Sequence, residues 1–236
     1  MHIALVDPEI SREKLRREMR RWKATSLYQE RGWLLLRYDE EQLVIELAFL
    51  AKLSITTGAT PLPSVVCAVR LTYENYDLWA PSLTFIDVFS REPTNPHVRA
   101  FQGTPTGPRD VLIDGHPETH RPFLCVPGIR EYHSHPQHTG DSWLLYRERG
   151  DGSISTICDR LWRFMVRNVL GLRVVVQCLP QFPLQAQLSV LLSQGDVESS
   201  MVTLEPPQDI RAVESISRAE KLAHVASDSQ NLTEVT

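Results

Sequence analysis

The sequence predicts an α+β fold, and three features of its hydrophobic pattern carry this prediction. A helical period of apolar residues follows Asp7 and Pro8, a pair that favours a helix start. Four segments between residues 33 and 89 are rich in aliphatic and β-branched residues, which is typical of strands. A second helical period follows Ser153. We therefore expect an N-terminal helix, a four-stranded antiparallel meander, an irregular stretch and C-terminal helices.

The first predicted helix covers residues 10–23 and is amphipathic and strongly basic. Its apolar stripe consists of Ile10, Leu15, Met19 and Trp22. Basic side chains cover much of the remaining surface, with Arg16, Arg17 and Arg20 among them. Two interpretations stay open: a solvated outer face, or a docking surface for an acidic protein. Nucleic acid is a weaker third alternative.

The strands are predicted from WLLLRYD, LVIELAF, SVVCAVRLTY and SLTFIDVF, which occupy residues 33–39, 43–49, 64–73 and 82–89. The third and fourth are joined by ENYDLWAPS, where Pro81 stops any helix and favours an extended approach. The proline-rich segment 91–122 has little periodicity, so we expect a long irregular segment there.

The C-terminal half begins with a predicted helix that Gly171 is well placed to end. One face of this helix is apolar and includes Cys158, which we interpret as a small core residue. RVVVQCL predicts a short strand, and LQAQLSVLL is a further buried helix or strand. These elements define one domain, residues 1–195. The acidic tail 196–236 is predicted to be partly helical or disordered.

Composition narrows the class of protein. The net charge of -4 and the pI near 6.1 give no field that favours nucleic acid or an anionic membrane. The four cysteines, Cys67, Cys125, Cys158 and Cys178, form no CxxC pair, so neither a zinc ribbon nor a disulfide framework is indicated. No signal peptide or membrane span is apparent. We expect a cytoplasmic protein without membrane or nucleic-acid partners.

Residues 116–143, HPETHRPFLCVPGIREYHSHPQHTGDSW, concentrate the chemistry of the chain. They hold five of its eight histidines, together with Cys125 and Glu131. The alternative to a functional stretch is a polar surface loop. A first hypothesis makes Cys125 a nucleophile, because apolar neighbours flank it and imidazoles lie nearby in sequence. A thiolate suits reversible acyl transfer, since it both attacks and leaves well.

A second hypothesis makes the same stretch a zinc site. Glu131, His133 and His135 are spaced two apart, so an extended backbone would direct all three side chains to one face. Cys125 or a water molecule would supply the fourth ligand. The first hypothesis needs no cofactor, whereas this one needs zinc.

Two further families match the stretch only in part. HSHP at residues 133–136 resembles the histidine pair of the JAB/JAMM zinc isopeptidases. The serine and aspartate that follow in that family are replaced by Trp143 and Tyr146. A cupin would need a glutamate four or five residues after His135, where none stands. Both remain minor alternatives.

The order of elements over residues 8–170 resembles the ubiquitin-conjugating enzyme family. ENYDLWAPSLTF is similar to the tyrosine- and proline-rich segment that leads into that family's fourth strand. HPETHRPFLCV is similar to the HPN motif that precedes the catalytic cysteine, with His116 nine residues before Cys125. Trp143 and the helix after Ser153 correspond to a later tryptophan and helix. The identity is weak, as in divergent bacterial members that accompany ubiquitin-like proteins.

This resemblance implies a function for named residues. Cys125 would carry a ubiquitin-like protein as a thioester and pass it to an amine of a protein acceptor, with His116, Glu131 and His133 in support. The basic helix would dock an activating enzyme through Arg16, Arg17 and Arg20. Glu118 replaces the asparagine that supports the oxyanion in the family, and an ionised carboxylate cannot donate a hydrogen bond. His120, His133 or a backbone N–H group are the candidate substitutes.

The set Cys125, Glu131, His133 and His135 also resembles a predicted metal-binding family of bacterial ubiquitin-like gene clusters, named for its C, E, H and H residues. This resemblance implies a non-catalytic zinc-binding adaptor. Both resemblances place the protein in a ubiquitin-like system, but they give Cys125 different roles.

Overall fold

A computed structural model describes residues 5–53, 60–179 and 185–194. Helix α1, Pro8–Ala24, begins where the sequence predicted, because the Asp7 side chain accepts a hydrogen bond of 2.9 Å from the Glu9 backbone N–H. Leu15, Met19 and Trp22 are buried. Ile10, predicted on the same stripe, is 49% exposed in the first turn. The amphipathic helix is therefore confirmed, except for this residue.

The main sheet is an antiparallel meander with strand order β1-β2-β3-β4. Its strands are β1 Trp33–Asp39, β2 Val44–Leu53, β3 Leu62–Thr72 and β4 Ser82–Ile86, and a short helix, α2 Leu27–Glu30, precedes β1. Nine of the ten residues of β2 are buried, as expected of a central strand covered on both faces. The predicted mixed α+β class with a four-stranded antiparallel sheet is confirmed.

The main core lies between the sheet and two helices, α1 and α4 Ile154–Phe164. Leu15 and Trp22 of α1, Phe49 of β2, and Ile157 and Leu161 of α4 belong to one continuous buried cluster. Cys158 is fully buried on the same face of α4, which confirms that it is a core residue. A smaller cluster, Ala48, Ala68 and Ile86, lies apart from this core.

The segment 91–122 is more ordered than the sequence predicted. It contains a hairpin of β5 Phe101–Thr104 and β6 Gly107–Asp110, closed by a turn in which Gly107 adopts a φ of 115°. Two-residue strands follow, β7 Leu112–Ile113 paired with β8 Phe123–Leu124. Short strands between prolines leave little periodicity to detect, which explains the missed elements.

The helix after Ser153 is shorter than predicted. It ends at Phe164, a 3-10 turn spans Val166–Asn168, and Gly171 lies inside strand β9 Val169–Leu179 rather than at a helix end. The valine-rich run favours a strand, and β9 pairs with β10 Gln185–Gln194 along its length. LQAQLSVLL, left open between helix and strand, is therefore mostly strand. The predicted tail 196–236 and its boundary lie outside the described residues.

No helix in residues 5–53, 60–179 and 185–194 combines the length and the apolar character needed to cross a membrane.

Candidate active site

Cys125 lies directly after β8, where two backbone and packing features hold it. Its backbone N–H donates a hydrogen bond of 2.7 Å to Val111 O, and the side chains of Leu124 and Val126 on either side are buried. The Cys125 side chain itself is half-buried. The apolar residues on either side therefore anchor the chain, while Cys125 itself stays partly exposed.

His138 is the residue that contacts the thiol. Its Nε2 lies 3.2 Å from Cys125 Sγ, and its Nδ1 lies 3.6 Å from Asp141 Oδ2. The backbone N–H of Asp141 donates to His138 O at 2.9 Å, so one tight turn brings the imidazole and the carboxylate together. A thiol, an imidazole and a carboxylate in this order form the arrangement used in nucleophilic cysteine catalysis.

Two tyrosines hold the imidazole and the carboxylate in place. The Tyr132 ring stacks on the His138 ring with centroids 4.0 Å apart and planes at 27°. Tyr132 Oη donates to Asp141 Oδ2 at 2.6 Å, and Tyr146 Oη donates to Asp141 Oδ1 at 3.1 Å. These two hydrogen bonds lower the pKa of Asp141, so its carboxylate stays ionised beside His138.

The thiol of Cys125 is not an intrinsically acidic one. Partial burial raises the pKa of Cys125, while the positive charge of Arg109 opposes this effect. Because the thiolate is the reactive form, a thiol with a raised pKa needs a proton acceptor when it reacts. His138 Nε2 is the nitrogen positioned to be that acceptor.

His116, predicted as a supporting residue, joins its own loop to the backbone of Glu131. The ring is 1% exposed, its Nδ1 accepts a hydrogen bond of 3.2 Å from Glu118 N–H, and its Nε2 donates to Glu131 O at 3.1 Å. Both nitrogens are therefore used in binding backbone groups. Glu118 takes part through its backbone, and its side chain is exposed.

Glu131 and His133 lie on a helix, so the expectation of an extended backbone over residues 131–135 is wrong. Helix α3, Arg130–Ser134, directs the buried Glu131 carboxylate to the Ser82 hydroxyl and to Leu83 N–H of β4. His133 turns towards Trp143, with ring centroids 5.5 Å apart. Glu131 thus joins α3 to the main sheet, an attachment that requires the tertiary fold.

His133 is held in one neutral tautomer. Its Nε2 accepts a hydrogen bond of 3.0 Å from Gly128 N–H, which leaves the proton on Nδ1 to donate to Asp141 O at 2.6 Å. Desolvation lowers the pKa of His133 below its usual 6.5. Protonation of Nε2 would place a second hydrogen between this nitrogen and the Gly128 N–H group. The charged form of His133 therefore cannot keep this hydrogen bond.

This environment predicts a stability that falls in mild acid. As the pH drops below about 6.5, the unfolded state binds a proton at residue 133 before the folded state does, and the free energy of unfolding decreases. One proton gives a slope of at most about 1.4 kcal/mol per pH unit. Urea unfolding between pH 7 and pH 5 measures it. His133→Gln is expected to flatten the profile, and an unchanged slope in that variant contradicts the assignment.

The four candidate zinc ligands do not converge. Glu131 and His133 are directed as above, and His135 stacks on Phe123 with ring centroids 5.4 Å apart while its Nδ1 accepts from Gln137 N–H. Across residues 5–53, 60–179 and 185–194, no group of three or more His, Cys, Asp or Glu side chains is arranged to hold a metal ion.

Trp143 and Tyr146 occupy the positions of the isopeptidase serine and aspartate. Both make structural hydrogen bonds here. Trp143 Nε1 donates to Asp77 O at 2.9 Å, and Tyr146 binds Asp141. Both therefore support the loop that carries His138 and Asp141.

Much of the positive charge of α1 is paired within the protein. Arg16 binds Glu13 at 2.5 Å and Glu40 at 2.8 Å, and Arg20 binds Glu13 at 3.1 Å. Arg17 is exposed. Carboxylates beside Arg16 and Arg20 weaken the local positive field that these two side chains offer to an acidic partner.

Sequence reasoning missed His138 and Asp141 as site residues. The sequence feature that could have indicated them is a histidine followed three residues later by an aspartate, in a turn-forming run after Pro136. Nothing in that spacing indicates that the turn folds back onto Cys125, which lies 13 residues earlier.

The fold and the site together define a class: an α+β protein in which a half-buried cysteine at a strand end meets a histidine–aspartate pair. The chain belongs to the Y4jH-like family, whose match covers residues 6–103 and 109–169 and includes all three residues. It is 33% identical over 180 residues to the uncharacterized protein y4jH of Sinorhizobium fredii (strain NBRC 101917 / NGR234). The alignment covers 67% of this chain and 83% of that relative.

Proposed function

We propose that this protein is a ubiquitin-conjugating-enzyme-like transferase, which carries a ubiquitin-like protein as a thioester on Cys125 and passes it to an amine acceptor. The observation that carries the proposal is the partial exposure of Cys125, combined with an imidazole nitrogen of His138 that lies 3.2 Å from its Sγ. A thiol so placed can attack an acyl carbon and later leave from it.

The arrangement of elements supports the same proposal. An N-terminal helix packs on a four-stranded antiparallel meander, and a buried histidine stands nine residues before the cysteine. This is the order of features by which the sequence resembles the conjugating enzymes. His116 then has a supporting role through the backbone, because both of its ring nitrogens bind main-chain groups.

The backbone around Cys125 favours an activated acyl donor. The N–H groups of Cys125, Val126 and Gly128 already bind Val111 O, Leu124 O and His133 Nε2, and Pro127 has none. Hydrolysis of an unactivated amide depends strongly on donors aimed at the oxyanion, and these four positions supply none in this conformation. A thioester is already activated, so exchange with Cys125 fits the site better than cleavage of an amide.

A zinc-binding adaptor remains the competing function, and the JAB-like isopeptidase is a weaker one. Both need ligands that converge on one point, whereas Glu131 and His133 have other hydrogen-bond partners. For this reason we place the transferase first. Native and denaturing intact mass separates these functions, because a resident zinc ion adds its mass only in the native measurement.

The transferase function is tested by mixing the full-length protein with a ubiquitin-like protein, its activating enzyme and ATP, and measuring intact mass. We expect an adduct that thiol reagents release and that maps to Cys125. Cys125→Ser is expected to give either no adduct or an oxyester that thiols do not release, because an alkoxide leaves less readily than a thiolate. An unchanged thiol-labile adduct in this variant excludes the proposed role.

The matched control is Cys67→Ala. Cys67 is 7% exposed in β3, and burial raises the pKa of its thiol to about 12, so it is unreactive at neutral pH. The adduct is expected to form in this variant as in the unmodified protein. Its loss in both variants would show that the adduct depends on the fold rather than on Cys125.

A further inference from the structure

We infer that His138 is the proton acceptor and donor for Cys125, and that Asp141, held by Tyr132 and Tyr146, is its positioning residue. This inference rests on the proposed function for its substrate. Its geometric basis is independent of that function, because it consists of contacts among the protein's own side chains.

The first argument is the division of roles among the imidazoles. The two ring nitrogens of His116 bind Glu118 N–H and Glu131 O, and those of His133 bind Gly128 N–H and Asp141 O. His138 instead directs Nε2 at Cys125 Sγ. A catalytic base must lie within hydrogen-bond reach of the proton it removes, and His138 meets this requirement.

The second argument is the tautomer that Asp141 selects. An ionised carboxylate 3.6 Å from Nδ1 favours the proton on that nitrogen, which leaves the Nε2 lone pair facing the thiol. The same carboxylate stabilises the imidazolium that forms when Nε2 takes a proton. The distance of 3.6 Å between His138 Nδ1 and Asp141 Oδ2 is longer than a hydrogen bond, as is common in a catalytic site before a substrate binds.

The third argument is the rigidity of the pair. Tyr132 contacts both partners, since its ring stacks on His138 and its hydroxyl binds Asp141. The second hydroxyl, from Tyr146, fixes the other carboxylate oxygen. A carboxylate with both oxygens bound and an imidazole with one face covered have little freedom to turn away from Cys125.

The reaction balances with these groups alone. During loading, the Cys125 S–H proton moves to His138 Nε2 as Sγ attacks the donor thioester carbonyl, and the leaving donor thiolate recovers that proton. During transfer, the acceptor amine attacks the Cys125 thioester and its N–H proton moves to Nε2. The C–S bond then breaks, and His138 returns the proton to Cys125 as an amide forms.

The first test needs no ubiquitin-like protein: the rate at which iodoacetamide alkylates Cys125 in the native full-length protein, followed by intact mass. His138→Gln is expected to lower this rate roughly tenfold at pH 7.5, because the thiol loses its proton acceptor. His97→Gln is the matched control, since His97 is an exposed histidine outside residues 116–143. Equal rates in the His138→Gln and unmodified proteins overturn the inference. The inference is also overturned if a chelator raises the alkylation rate of the unmodified protein, because a metal ion bound to the thiol would then be what slows alkylation.

Asp141→Asn tests the positioning role, with the pH dependence of alkylation as readout. The groups that face His138 are Cys125, Tyr132, His133, His135 and Asp141. Loss of the carboxylate is expected to move the acidic limb of the profile to lower pH, because the imidazolium loses its counter-charge. The positioning role is overturned if Asp141→Asn lowers the alkylation rate equally at every pH and leaves the acidic limb at the same pH. Circular dichroism of each variant identifies any loss of fold, and Tyr132→Phe then repeats the test with the carboxylate intact.

Transfer is measured separately, as discharge of the preformed Cys125 adduct to free lysine. We expect His138→Gln to slow discharge by on the order of 100-fold at pH 7. If the unmodified protein forms no adduct while His138→Gln still lowers alkylation, the proposed function fails and the assignment of His138 stands. If the adduct forms and discharges equally in both proteins, the assignment of His138 fails and the proposed function stands.

Discussion

Replacing Gly128 with alanine is expected to lower the free energy of unfolding by about 3 kcal/mol. Gly128 adopts a φ of +89°, where a side chain is strained, and an added Cβ would lie 2.2 Å from Asp151 O. Neither backbone moves easily. The Gly128 N–H binds His133, and Arg160 joins the Pro127 carbonyl to the Asp151 carboxylate. The displacement is expected to reach Cys125, three residues before Gly128.

Urea unfolding of Gly128→Ala measures this loss, and Gly140→Ala is its control. A Cβ added at Gly140 would meet no atom within 4 Å, and Gly140 has no positive φ. Its substitution is therefore expected to change the free energy of unfolding by less than about 1 kcal/mol. Equal unfolding midpoints for the two variants would contradict the close approach of the 128 and 151 backbones.

Trp143→Ala is expected to cost about 3–5 kcal/mol, the usual range for removing a buried aromatic side chain. Trp143 is 6% exposed, its Nε1 donates to Asp77 O, and its ring covers Gly152, where an added Cβ would meet it at 2.7 Å. The ring also approaches His133. Removal therefore leaves a cavity between the connection of β3 to β4 and the loop that carries Asp141.

Two further variants separate the contribution of the Trp143 hydrogen bond from that of its buried ring. Trp143→Phe keeps most of the ring but leaves Asp77 O without its donor, so we expect a loss of about 1–2 kcal/mol. Leu144→Ala changes a side chain that is 52% exposed and should lie within about 0.5 kcal/mol of the unmodified protein. Thermal or urea unfolding ranks the three, and a Trp143→Ala loss no larger than that of Leu144→Ala contradicts this account.

Local signals were sufficient for α1 and for the main sheet. The side chain of Asp7 caps α1 directly, and Leu15, Met19 and Trp22 recur at the helical period and are buried. The four strands lie where runs of β-branched residues are separated by turn formers. Such signals succeed because the cap and the period act within a few residues of chain.

Local signals failed where a distant partner decides the conformation. Residues 131–135 alternate like a strand, but α3 forms because Glu131 binds Ser82 and Leu83 of β4, almost fifty residues away. The helical period after Ser153 continued in sequence beyond Phe164, whereas residues from 169 pair as β9 with β10. Pairing along a whole strand outweighs a weak helix propensity.

By itself the sequence determined the mixed α+β class, the four-stranded antiparallel sheet, the burial of Cys158 and the choice of Cys125 as the candidate nucleophile. Only the tertiary structure selected His138 from five nearby histidines. That selection depends on which nitrogens backbone groups already occupy and on a turn that brings Asp141 behind the imidazole. Residue identity states what a side chain can do, but the contact between an imidazole and a thiol exists only after the chain between them has folded.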